Sequence, residues 1–567
     1  MIDLILTSPA GGPASLFTRN FRVHSGIPIG LYEGGPCSPC ALIYGEISDD
    51  ILQEFGDYYR AIIAIPSVAH DEIPPHPAHY ETMTVKAPIL ASIQNMGRPG
   101  FEPFIGTFEG APLILEGTSG SAYTLIFTAD LVKSTIRILS GELERDTGSD
   151  EYGRPKPPPE YVTETPAVSL HFNLIEQAIR HVYKRIEEPL FSIPRWPSSA
   201  PMAVFLSHDV DVVKKWTAKR VAYESMRALG NILRFNFSDA MKIINSLSSA
   251  LEGQDPYWDF NELIFLEGSN GFSSTWFFAP FGGEYTSRTN PVDPVYHRRS
   301  SEITSAIRKL YENDCEIALH GTRSAYNNAD ELKRQLASFE ERLGFKLNGV
   351  RQHYLMFDRD ATFEATAKAG LAYDATLGFS DRAGFRNGMA SPFFPCNTDE
   401  KAGSLVEIPL MFMDTMFLHA KSGVDVAKKK VTEAYLNAKA AGGLFSMLIH
   451  PGNMDESEIP ELAHFYHSLI PRCCLDKALS MNAGELARWW QVREQVLRSI
   501  EIGSNVWRIQ GIDLPPDMDF AISAPNIKFM KFSIEGARGA SELSHDRLTI
   551  RPGTIDTGRG ITFIRKG

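Results

Sequence analysis

Between about residues 200 and 490 the chain repeats one pattern, an apolar run of strand length followed by a stretch of helical length. The runs are MAVFLS, GFSSTWFFAP, CEIALHG, LNGVRQHY, LAYDATLGF, LVEIPLMFM and GGLFSMLIHPG. SSEITSAIRKLYEN and ADELKRQLASFEERLG are two of the amphipathic stretches between them. A strand that is apolar at nearly every position is buried on both faces, and intervening helices make neighbouring strands parallel. The pattern predicts an α/β chain whose centre is a distorted (β/α) barrel of about seven parallel strands. Parallel strands bring their C-terminal ends to one face, where such barrels carry their functional groups.

Those ends hold ionisable side chains. The first run passes into SHDVD, with Asp209 and Asp211. The third ends at His320, the fourth carries Arg351, His353 and Tyr354, the fifth Asp374 and the seventh His450. Bland readings exist for each. An aspartate caps a turn, Arg351 could form a structural ion pair, and a histidine beside Gly321, Tyr354 or Pro451 could be packed or turn-forming. Ser544-His545-Asp546 repeats the first tripeptide in a turn-like stretch, with no second aspartate and no apolar run before it. The tripeptide alone therefore carries little; its position at a strand end carries the signal. His464 and His467, at helical spacing away from any run end, read as surface or helix-packing residues.

A chain of 567 residues exceeds one hydrophobic core. Residues 1–145 read as a strand-rich α+β domain, 146–195 as a Pro-rich linker and helical connector, 196–490 as the barrel and 491–567 as a helix with a small β-rich domain. A net charge of −13 argues against nucleic acid or an anionic membrane as the main partner. MIDLILTSPAGG has an acid at position 3 and no basic n-region, and no apolar run is long enough to span a bilayer, so a cytoplasmic protein is expected. The pattern sets no oligomeric state. Cys37 and Cys40 form a lone CxxC without a partner pair, which favours a turn with two ordinary thiols over a zinc or redox site.

A carboxylate and two imidazoles suit zinc or a similar divalent ion with an open position. With a second carboxylate as base and a distal histidine as acid, the set suits hydrolysis of an amide or ester. No GxSxG elbow supports a serine hydrolase. Residues 200–455 resemble the polysaccharide deacetylases with the NodB homology fold, of the carbohydrate esterase family 4 type. The matching pieces are SHDVD, DPYWDFNELIFLEGSNGFSSTWFF, EIALHGTRSAYNN, GVRQHYLMF, YDATLGFSDRAGFRNG and LIHPG. The resemblance implies Asp209 as general base, Asp211 as metal ligand, His320 as the first metal histidine, Arg351 as the residue orienting the base and His450 as general acid. Two departures stand out. Val210 separates acids that are adjacent in the commoner family pattern, and Ser324 stands where the family has its second histidine. His353, at the next strand end, is the candidate for the vacant ligand position. Tyr354, with Asp381, Arg382 and Arg386 of the Gly-rich stretch SDRAGFRNGM, could line a sugar pocket; a solvated loop is the alternative.

Three functions compete. The resemblance implies a metal-dependent de-N-acetylase acting on an N-acetylated sugar or glycan precursor. An amidohydrolase on a small cyclic or linear amide would use the same groups. A carbohydrate-binding scaffold without catalysis is kept open by Ser324. The barrel reading requires Asp211, His320 and His353 to surround one point at metal-bonding reach, about 2.0–2.2 Å for zinc to nitrogen or oxygen.

Overall fold

The computed structural model describes the chain except residues 1, 8–10, 33–37, 68–77, 82–85, 90–98, 109–110, 146, 152–153, 159, 253–254, 259, 282–292, 295, 297–299, 397–404, 420–422, 460, 503–505, 510–513, 516, 526, 528–529, 536, 545, 556–560 and 567. Cys37 and His545 fall outside the described residues, while Cys40 is buried in a strand. Among the described residues no helix is long and apolar enough to cross a membrane.

The central sheet contains β1 (Ala203–Val210), β2 (Ser274–Phe278), β3 (Glu316–Gly321), β4 (Gly349–Gln352), β5 (Tyr373–Asp374), β6 (Val406–Glu407), β7 (Phe412–Met413) and β8 (Leu444–Leu448). Every pairing is parallel and the spatial order is β6-β5-β4-β3-β2-β1-β8-β7. The seven apolar runs therefore give eight strands, because the sixth splits. LVEIPLMFM contains Pro409, which has no backbone N–H for a ladder. Its first half pairs with β5 and its second half with β8, at opposite ends of the curled sheet. β6 and β7 do not pair with each other, so among the described residues the expected barrel is an open curl bridged by one segment. Leu479–Ser480 adds a short pairing beside the start of β1.

The outer regions are richer than the sequence pattern suggests. Among the described residues, strands between Ile2 and Phe127 form a nine-stranded mixed sheet. Its parallel half is connected partly through the helix Gly11–Ser25, and its other half is antiparallel. The C-terminal region forms two four-stranded antiparallel sheets, one of which includes Leu190–Ser192 from the stretch read as a connector. The helix Ala483–Ser499 ties these parts together: Trp489 Nε1 donates to Arg195 O at 2.8 Å and the buried Arg493 Nε to Val23 O at 2.6 Å.

Next to β6, the buried Asp374 accepts hydrogen bonds from Thr376 N at 2.8 Å and Thr366 Oγ1 at 3.1 Å, so it closes the turn after its own strand. Burial lifts its carboxyl to about 6 against these hydrogen bonds, which pull the other way. An unfolded aspartate ionises near about 4, so the folded chain holds a proton that the unfolded chain has released. The stability this contributes is full below pH about 4 and is lost as pH rises to about 6. Asp374→Asn should therefore flatten the fall in thermal midpoint over that window relative to wild type, by the equivalent of about 1–3 kcal/mol of stability. Parallel midpoint curves for the two proteins would contradict this.

Candidate active site

Alternation along β1 sorts the opening motif onto two faces. Ser207 and Asp209 face the inside of the curl and His208 faces the outer helices. The His208 ring contacts Trp276, with centroids 4.3 Å apart, and its nitrogens lie 2.9 Å from Ile449 O and Glu267 Oε1. It is a packed outer-layer residue. Asp211 lies one residue past the strand, with its side chain 26% exposed.

Arg351 is fully buried and holds the inner face. Its Nη1 donates to Ser207 Oγ and to Asp209 Oδ1, both at 2.9 Å, and its Nε donates to Ala375 O at 2.9 Å. Its carbonyl accepts from His320 Nδ1 at 2.9 Å. A carbonyl only accepts, so Nδ1 carries a proton and Nε2 is the ring nitrogen turned toward the carboxylates. That nitrogen lies 3.1 Å from Asp211 Oδ1 and 3.7 Å from Asp209 Oδ2. His353 is fixed in the same way: its Nδ1 donates to the buried Asp293 at 2.7 Å, which leaves Nε2 toward Asp211 Oδ2 at 3.6 Å.

Asp211, His320 and His353 each present one ligand atom, and these atoms lie within 4.8 Å of one another. Ligand atoms bonded at about 2.0–2.2 Å around a tetrahedral ion sit about 3.3–3.6 Å apart. His320 Nε2 lies 3.1 Å from Asp211 Oδ1 and His353 Nε2 lies 3.6 Å from Asp211 Oδ2, each near that spacing. Asp211 Oδ1 is buried without a hydrogen bond from the protein. The donor set, its spacing, its orphaned oxygen and its two oriented imidazoles fit a divalent cation of the zinc type. Burial alone would raise the Asp211 carboxyl, but His320 and His353 outweigh it and hold it well below the usual range. Burial likewise lowers His353, and Asp211 and Asp293 overcome it to give about 9.

Opposite this cluster, His450 follows β8 and leans on the fully buried Asp414. Asp414 accepts from His450 Nδ1 at 2.8 Å, from His450 N at 2.7 Å and from Asn453 Nδ2 at 3.0 Å. The remaining Nε2 points back to Asp211 Oδ2 at 3.6 Å. Burial works against the charged ring, but Asp414, with Asp211 and Asp209 beyond it, pushes His450 up to about 10.

A cavity of about 450 Å³ opens over these groups. Asp209, Asp211, His320, His353 and His450 reach it, as do Tyr354, Asp381, Arg382 and Arg386. Arg351 lies beneath its floor. Tyr354 has φ +59°, a left-handed conformation costly for a bulky residue, and its ring sits 4.3 Å from that of His353. Asp381 and Arg382 pair with each other at 3.0–3.1 Å. Arg386 is only 6% exposed and its guanidinium forks onto Glu144 at 2.7 and 3.1 Å, so it shapes the wall instead of offering free donors. Ser324 is exposed, hydrogen-bonded with Thr322, and takes no part in the cluster. His464 is 82% exposed beside Glu456, and His467 pairs with Glu262 on the surface.

Two single residues and one segment were not anticipated. Asp414 follows the sixth run and was findable by the strand-end argument. Asp293, in a PVDP stretch, has no pattern to mark it. Asp150, Arg154 and Pro155, from the segment read as a linker, form one wall of the cavity, and Arg154 also donates to Tyr354 O.

No known family profile and no curated protein matches the chain. Several solved structures do. A Mycobacterium smegmatis protein described as a polysaccharide deacetylase is 19% identical over 53% of this chain and 93% of its own, with a TM-score of 0.35. The Puue allantoinase is 14% identical over the same shares, with a TM-score of 0.34. The carbohydrate deacetylase Agd3 is 9% identical over 100% of this chain and 98% of its own, with a TM-score of 0.37.

If Asp293 orients His353 as a ligand, Asp293→Asn should weaken zinc binding by about 10–100-fold in competition with a chromophoric chelator. Asp209→Asn should leave that affinity near wild type. Unchanged affinity in Asp293→Asn would remove His353 from the ligand set.

Proposed function

We propose that this chain is a metal-dependent hydrolase that removes the N-acetyl group from a sugar or glycan precursor. The observation that carries the reading is the placement of a cation-type ligand set between two differently supported proton-transfer groups. Asp209 is held by Arg351 on one side, and His450 is held by Asp414 on the other. Asp209, His450 and the three ligand residues edge one cavity.

Asp211, His320 and His353 would hold the cation. When bound, such an ion polarises an amide carbonyl and makes water a better nucleophile at neutral pH. Arg351 occupies Asp209 Oδ1 and leaves Oδ2 facing the cavity, so Oδ2 takes the proton from the attacking water. Water oxygen adds to the acetyl carbon, and the carbon–nitrogen bond then breaks. An amine leaves poorly unless protonated. His450 is charged at neutral pH, and its Nε2–H supplies that proton. The products are acetate and the free amine. Tyr354 offers a ring face, and Asp381 and Arg382 offer polar groups, for a sugar bound above this centre.

Acetate release from a panel of N-acetylated sugars should exceed turnover of cyclic ureides. The reverse order would assign the site to a cyclic-amide hydrolase. Asp209→Asn should cost about 10²–10⁴-fold in kcat with the metal retained. Asp211→Asn should lose metal and rate together. His450→Ala should damage amide hydrolysis far more than hydrolysis of an activated aryl acetate, because a phenolate leaves unprotonated. Equal damage to both substrates would make His450 a positioning residue, and wild-type rates in all three variants would leave a binding scaffold.

A further inference from the structure

The first crossover of the central sheet begins with a helical hairpin, α1 (Ala218–Leu233) and α2 (Phe237–Leu251), between Asp211 and the helix Asn261–Ser269 that leads into β2. The polarity of α1 is inverted. Its buried positions are Glu224 and Ala228, and the Glu224 carboxylate is fully buried against Arg220 and Arg227, each at 2.9 Å. Its outward positions Met226, Leu229 and Leu233 are 69, 56 and 72% exposed. On α2, Phe237, Met241 and Ile244 repeat the spacing at 58, 52 and 39%. A helix packed on a protein in water normally does the opposite. An apolar stripe this long on a free surface marks a face that is covered in use.

The turn between the helices sharpens the point. Phe235 is 82% exposed with φ +60°, at the helix end where glycine is the usual residue. Hydrogen bonds from Phe235 N to Ile232 O and Asn236 N to Asn231 O close the turn. A bulky ring is kept in a costly conformation, and that conformation leaves it in solvent.

Charge selects the partner. Between Lys214 and Ser248 there are seven basic and two acidic residues, and four of the cations are paired: Lys215 with Asp455, Arg220 with Glu458, Lys242 with Glu456 and Arg227 with Glu224. Lys214, Lys219 and Arg234 are exposed and make no ion pair among the described residues. A two-fold pairing of hairpins would bring these like charges together. An anionic lipid surface accepts both the stripe and the cations. We propose that the hairpin docks the protein on such a surface, lying along it with the stripe and Phe235 in the headgroup–acyl boundary. Its base is rigid: buried Lys215 Nζ donates to Ser246 Oγ of α2 and to Asp455 and Ser457 at 2.6–2.9 Å, just beyond the loop that carries His450. Docking would thus hold the cavity at the lipid surface. The chain's overall acidity conceals this local reversal of charge.

The test is co-sedimentation of the full-length protein with phosphatidylcholine vesicles, with and without phosphatidylglycerol. Wild type should sediment with the anionic vesicles and be released by salt. Phe235→Gly relieves the strained turn, so its thermal midpoint should hold or rise while vesicle affinity falls about tenfold. A merely structural turn would not separate the two readouts. Met226→Ser should also weaken binding. Phe235→Gly binding like wild type would overturn the proposal. So would wild type remaining in the supernatant; if it does so as a dimer that Met226→Ser dissolves, the stripe belongs to a second copy.

Discussion

The site depends on one buried cation, the Arg351 guanidinium. Its donors reach Asp209 and Ser207 on β1 and Ala375 after β5, while its own carbonyl orients His320 on β3. Four strands of the sheet are thus tied at their C-terminal ends through one residue. A charge with no exposure costs several kcal/mol to desolvate, so it is stable only where partners surround it. Asp209 supplies the countercharge. The cost is met by geometry that also leaves the second oxygen of Asp209 facing the cavity. Fold stability and site geometry are therefore the same set of hydrogen bonds.

The second constraint is the sixth apolar run. Pro409 prevents it from being one continuous strand, and its halves serve opposite ends of the sheet. The residue that follows it, Asp414, then meets His450, just past β8. The segment that spans the open side of the curl thereby delivers the carboxylate that supports the distal histidine. On the other side, Asp293 supports His353. Each working imidazole in the cavity has a fixed acceptor on Nδ1, and each presents Nε2 to the same small volume.

Much of this was legible in the sequence because strand ends obey a simple rule. Asp209, Asp211, His320, Arg351, His353 and His450 are all at or just past the ends of apolar runs, and parallel pairing gathers them. The same rule contains Asp414, which was passed over because its run reads as unbroken hydrophobic sequence. Asp293 could not be read, since it comes from no strand and its role depends on a ring sixty residues away. The Pro-rich segment at 150–157 looks like a linker because composition reports chain stiffness and polarity, not what the chain leans on. Arg386 fits a polar loop in sequence, and only Glu144, far back in the chain, commits it to the wall. The split of the sixth run and the strand Leu190–Ser192 in the C-terminal sheet are tertiary choices that local pattern does not encode.

On this reading a cation sits among Asp211, His320 and His353, with His353 doing the work that Ser324 cannot. Anomalous diffraction at the zinc edge, from crystals of the zinc-loaded protein, tests it directly. The account requires one strong peak about 2.0–2.2 Å from Asp211, His320 Nε2 and His353 Nε2. A peak that omits His353, or no peak in this cluster at saturating zinc, would contradict it.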